Sequence, residues 1–108
     1  MNIEPLYQAI LQKSRRMHEL ANNSAWDELV GAELERRQAV SLLRQTLEGQ
    51  ADDALPELTK QQIQLCIQET LALDRETEKL VNAWMHTISK ELSAVNTAQQ
   101  MRRAYAAG

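Results

Sequence analysis

The sequence predicts an all-α protein, and three observations carry that prediction. Leu, Ala, Gln and Glu dominate the 108 residues, while Gly, Pro and aromatic residues are few and Phe is absent. The dominant residues lose little freedom in a helix. Apolar residues recur at three- and four-residue intervals over long stretches, the period of a half-buried helix. No convincing strand pattern interrupts them. Short connections between amphipathic helices favour antiparallel neighbours. The expected architecture is therefore an antiparallel three-helix up-down bundle with a long third helix and a short, labile fourth C-terminal helix. The bundle is expected over 1–95, with helices at about 5–21, 24–48 and 59–95. Residues 96–108 form either a short C-terminal helix or a flexible tail.

The first helix opens at Pro5, whose missing N–H costs nothing in a first turn. Ile3, Leu6, Ile10, Met17 and Leu20 fall on one stripe, which Tyr7, Leu11 and Ala21 widen. The stripe skips the polar run from Gln12 to Arg16. Asn22–Asn23–Ser24 is a break, with Ser24 read as the N-cap of the second helix and Asp27 answering it. The second helix gathers Trp26, Leu29, Val30, Val40, Leu43 and Leu47 on one side, and Gly49 reads as its C-cap.

Residues 50–58 form the clearest loop, with Asp52, Asp53 and Pro56. Thr59 and Gln62 have the spacing of a capping box, and Leu58 and Ile63 that of a hydrophobic staple. The third helix has a central seam of Ile67, Asp74, Val81, Ile88 and Val95, a strict seven-residue repeat. Leu71, Met85 and Leu92 lie on one flank; Cys66, Leu73, Leu80 and Trp84 lie on the other. Asn96–Thr97 offers a further cap, after which Ala98, Met101 and Tyr105 make a short stripe that is too short to be stable alone.

Charges interrupt these stripes. An unpaired buried charge is costly, so Asp74 requires a basic partner, either Arg36 or Arg37. Glu33 and Arg37 are placed to pair along one helix.

Several function classes are disfavoured. A net charge of −3 argues against a general nucleic-acid binder, which usually has a basic face. A lone cysteine, Cys66, forms no intramolecular disulfide and no cysteine-based zinc site. His18 and His86 lie in different helices without a nearby ligand motif, and three glycines make no phosphate-binding loop. The amino terminus has no signal-peptide pattern, and no run approaches the ~20 apolar residues of a membrane span. These features point to a cytoplasmic protein that is not an enzyme and needs no cofactor. The paired arginines invite comparison with helical chorismate mutases, but their spacing does not match that family.

Three segments carry a resemblance: Trp26–Asp27–Glu28–Leu29, Leu71–Ala72–Leu73–Asp74 with the apolar run that follows it, and Ala104–Tyr105–Ala106. In order and spacing, over almost the whole chain, they resemble the FliT family of flagellar type III export chaperones. The resemblance implies binding to the C-terminal helical region of the filament-cap protein FliD, prevention of its premature assembly, and delivery to export apparatus components. In enteric bacteria it also implies binding to the master regulator FlhDC and negative regulation of flagellar gene transcription. The family's carboxy-terminal segment acts as a movable cover over the partner surface, a part that Ala98, Met101 and Tyr105 would play here. The expected partner groove runs along Leu43, Leu47, Leu73, Leu80 and Trp84, where Trp84 is either the anchor of the interface or ordinary core. The alternative function is a self-associating helical adaptor or coiled-coil protein, for instance a homodimer, with a structural role.

Overall fold

A computed structural model describes residues 3–49 and 55–106. Three helices follow one another: α1 (Glu4–Asn22), α2 (Trp26–Gly49) and α3 (Glu57–Ala106). By compactness the chain divides into Met1–Glu78 and Lys79–Gly108. The first unit holds α1, α2 and the beginning of α3; the rest of α3 makes up the second.

The core of the first unit is the stripe of α1 closed by a few residues from its neighbours. Ile3, Ile10, Leu11, Met17, Leu20 and Ala21 are buried, with Leu29 and Leu43 from α2 and Ile63 and Cys66 from α3. Cross-helix pairs set the directions. Lys13 pairs with Glu35 and Arg16 with Glu28, so α2 runs antiparallel to α1. Arg36 meets Asp74, while Val40 and Leu43 share a cleft with Ile67 and Leu71, so this part of α3 is antiparallel to α2. An up-down order of three helices results.

The connection from α1 to α2 differs from the expected N-cap at Ser24. The amides of Ser24 and Ala25 donate to the carbonyls of Ala21 and Leu20, at 3.1 and 2.9 Å. Those two bonds are the pattern of a Schellman turn, and Ser24 occupies its left-handed position with φ 55°. Ser24 therefore ends α1. Ala25 immediately precedes α2, its carbonyl accepting from Leu29 N–H at 2.9 Å.

The start of α3 is also earlier than Thr59. The Pro56 carbonyl accepts from Lys60 N–H at 3.0 Å, and Glu57 places an acidic side chain in the first turn, where the helix dipole favours it. Thr59 is consequently inside the helix. Leu58 is 73% exposed while Ile63 is buried, so the staple is not made. Gly49 is the last helical residue of α2 and has no positive φ, unlike a left-handed glycine cap. The expected loop falls partly on residues 50–54, which lie outside the described residues.

The fourth helix expected after Asn96–Thr97 is not separate. α3 continues through both residues to Ala106. No Gly or Pro occurs between Pro56 and Gly108, and Asn96 and Thr97 are exposed. On such a face their modest helix propensity costs only a few tenths of a kcal/mol each, roughly.

Candidate partner-binding surface

One buried polar node joins the three helices of the first unit. Ser14 is fully buried on α1. Its hydroxyl donates to the Ile10 carbonyl at 2.9 Å and accepts from Arg36 Nη1 at 3.0 Å. The same guanidinium nitrogen donates to Asp74 Oδ1. Asp74 thus takes Arg36 as its partner, while Arg37 pairs with Glu33 through contacts of 2.8 and 3.0 Å. Hydrogen bonds to charged groups are the stronger kind. This pairing lets a seam residue be a carboxylate without an orphaned charge.

Ser14 was not legible as a core residue, because it lies within the polar run that the α1 stripe skips. Thr77 was missed as well. It is buried, and its Oγ1 has no hydrogen-bond partner. The hydroxyls of Ser14, Thr46 and Thr87 each donate to the carbonyl four residues back.

Beyond the node, towards the Gly49 end of α2, the bundle opens. Tyr7 and Ile10 of α1, Val40 and Leu43 of α2, and Cys66, Ile67, Thr70 and Leu71 of α3 line a cleft of about 140 Å³. That is close to the size of a cavity that accepts a benzene ring. It fits one or two side chains of an incoming helix and not the helix itself. A second hollow carries Leu47 and Arg44 beside Val40 and Leu43. A third places Ile3, Tyr7, Leu47 and Leu55 around Ile63 and Ile67. Leu47, Ile67 and Leu71 are substantially exposed, so apolar surface continues out of the cleft onto both helices. Burial pushes the Cys66 thiol above its ordinary pKa, and the carboxylates of Glu4 and Glu69 add to the effect. Cys66 is accordingly a buried apolar contact and not an activated nucleophile.

Of the expected groove residues, Leu43 lines the cleft and meets Leu47 in the second hollow. Leu73 is half-buried in the same unit. Leu80 and Trp84 belong to the second unit. There Leu80 is half-buried and Trp84 is 36% exposed. Ala98 and Met101 are exposed on α3, while the side chain of Tyr105 lies outside the described residues. Tyr7, Ile10, Val40, Ile67 and Leu71 are among the cleft residues that the expected groove omitted. Their apolar spacing marks them as helix face, but only the packed bundle shows that this face stays open.

Among the described residues no three His, Cys, Asp or Glu side chains gather as a metal site would require. No described helix is long and apolar enough to cross a membrane.

The model of the family described as flagellar protein FliT matches residues 4–107. The chain belongs to the FliT family. The match spans all three helices, and the earlier resemblance stands on the whole chain and not only on three short segments. FliT proteins are a family of flagellar export chaperones. Neither the curated proteins nor the solved structures gave a match.

Proposed function

We propose that this FliT-family protein is a cytoplasmic chaperone that holds the C-terminal helical region of the filament-cap protein FliD and delivers it to the export apparatus. The family match over 4–107 carries the reading. The open apolar cleft between α2 and α3 supports it, because a groove between two helices receives the apolar face of a third. Leu43, Leu47 and Leu73 on the first unit and Leu80 and Trp84 on the second are the proposed contacts, with Trp84 as anchor. Ala98, Met101 and Tyr105 are the proposed cover. For them to leave the axis of a continuous α3, the helix has to break ahead of them, near Asn96–Thr97.

Calorimetric titration with the carboxy-terminal FliD peptide of the same genome tests the reading. Binding with a negative heat-capacity change is expected for apolar helix capture, and Trp84→Ala is expected to weaken it about 30-fold. Tighter binding after removal of residues 96–108 identifies the cover. Absence of binding by either form overturns the chaperone reading in favour of the self-associating adaptor, which light scattering at several concentrations then tests. A parallel titration with FlhDC examines the negative regulation of transcription.

A further inference from the structure

The second unit combines two features that the chaperone reading does not use. Its helix exposes an apolar seam, and its charge is opposite to that of the rest of the chain. Residues 79–108 carry Lys79, Lys90, Arg102 and Arg103 against Glu91, a net charge of +3, which leaves −6 on residues 1–78. Val81, Met85, Ile88, Leu92 and Val95 follow one another at alternating four- and three-residue steps. Met85, Leu92 and Val95 are each more than half exposed, and Val81 and Ile88 are half-buried. At about 100° per residue, Trp84 lies beside this seam, Lys79, His86 and Lys90 lie opposite it, and most of the remaining polar face is Ser, Thr, Asn and Gln. Arg102 and Arg103 follow at its carboxy-terminal end.

The placement of the charges discriminates between two kinds of occupant. A coiled-coil partner is selected by charges flanking the seam. Here the flanking positions Asn82, Trp84, Ser89, Asn96 and Ala98 are uncharged, with Glu91 the exception before Arg103. The unbroken seam is also shorter than the three or four heptads that sustain a coiled coil. A lipid surface makes neither demand. It accepts a single apolar face, and anionic headgroups attract basic residues within about one Debye length wherever they sit around the helix.

We propose that residues 79–103 of α3 form an interfacial helix that lies on anionic phospholipid, with the seam of Val81, Met85, Ile88, Leu92 and Val95 against the acyl boundary and Lys90, Arg102 and Arg103 attracting the headgroups. The association is peripheral and reversible, on the membrane and not across it. The five seam residues are not among the proposed FliD contacts.

Co-sedimentation of the full chain with phosphatidylcholine vesicles, with and without phosphatidylglycerol, tests it. Binding to the anionic vesicles is expected, with little to the neutral ones and with loss at high salt. Each surface charge contributes a factor of about five, so the triple variant K90Q/R102Q/R103Q is expected to bind on the order of 100-fold more weakly. Ile88→Ser and Leu92→Ser are expected to weaken binding with the helical circular dichroism retained. In a Trp26→Phe background, Trp84 emission is expected to shift to the blue on anionic vesicles. Equal binding to both vesicle types, no binding at low salt, or an unchanged triple variant overturns the proposal. Binding of a soluble acidic amphipathic peptide without vesicle binding also overturns it and makes the face a protein-docking surface.

Discussion

Ser24 holds a φ of 55°, a conformation that costs a residue with a β-carbon about 1–2 kcal/mol and costs glycine little. Ser24→Gly is expected to stabilise the protein by about 0.5–1 kcal/mol, after the entropic cost of glycine is counted; thermal unfolding reads it directly, and a lower Tm contradicts the assignment of this residue to the Schellman turn. Thr77 makes a second residue-scale case. Its buried hydroxyl lacks a partner, so Thr77→Val removes a desolvation penalty and should stabilise by about 1 kcal/mol. Arg36 and Arg37 are adjacent in sequence but differ in surroundings. The Arg36 guanidinium joins three helices and is mostly buried, while the Arg37–Glu33 pair is exposed. Arg36→Ala is expected to cost about 1–2 kcal/mol, moderated because Asp74 stays partly in water, and Arg37→Ala at most about 0.5. Urea titration of both variants gives the comparison. Cys66 adds a pH dependence. Its thiol is held above the ordinary 9.0, so the unfolded chain releases this proton first. Stability is full below pH 9.0 and falls as pH rises through the raised folded value. Cys66→Ala should flatten this alkaline loss.

At the scale of elements, the apolar spacing located all three helices, because burial of one face is what stabilises them in water. The ends were less legible. Ser24 and Thr59 are good capping residues, but a cap signal competes with other ways of satisfying the same amides. At Ser24 the carboxy-terminal turn of α1 took the residue. At Thr59 the Pro56 carbonyl supplied an earlier start. Asn96 and Thr97 looked like a break only because they permit one, and α3 passes through them. Thr97→Pro is expected to reduce the helical circular dichroism by roughly one to two turns, while leaving the urea midpoint of the first unit unchanged. A drop in that midpoint contradicts the division of the chain at Glu78.

For the molecule as a whole, the division implies uneven protection. Amides of α1, α2 and the first turns of α3 lie in a unit with a shared core, whereas residues 79–106 have no second described element within their own unit. Hydrogen exchange is expected to be slowest around Leu11, Met17 and Leu43, and faster by orders of magnitude beyond Lys79. Similar protection along all of α3 contradicts this view. The candidate surface was legible only in part. Leu43 and Leu47 were marked by their stripe, but an apolar stripe does not say whether its neighbours close over it. The cleft exists because Tyr7, Ile10, Ile67 and Leu71 approach Val40 and Leu43 without filling the space between them, a property of three helices together that no single helix displays.

The node of Ser14, Arg36 and Asp74 lies partway along the bundle, between the Ser24 turn and the open cleft. Helices pinned at mid-height and parted at one end form a lever with its fulcrum at the pin. A side chain wedged between Leu43 and Ile67 spreads α2 and α3 at that end, and the rotation is resisted at the guanidinium of Arg36. If the cleft binds its partner as proposed, the stiffness of the grip is set by a residue outside the cleft lining, so weakening the fulcrum is expected to change how fast a guest is released more than how well it fits.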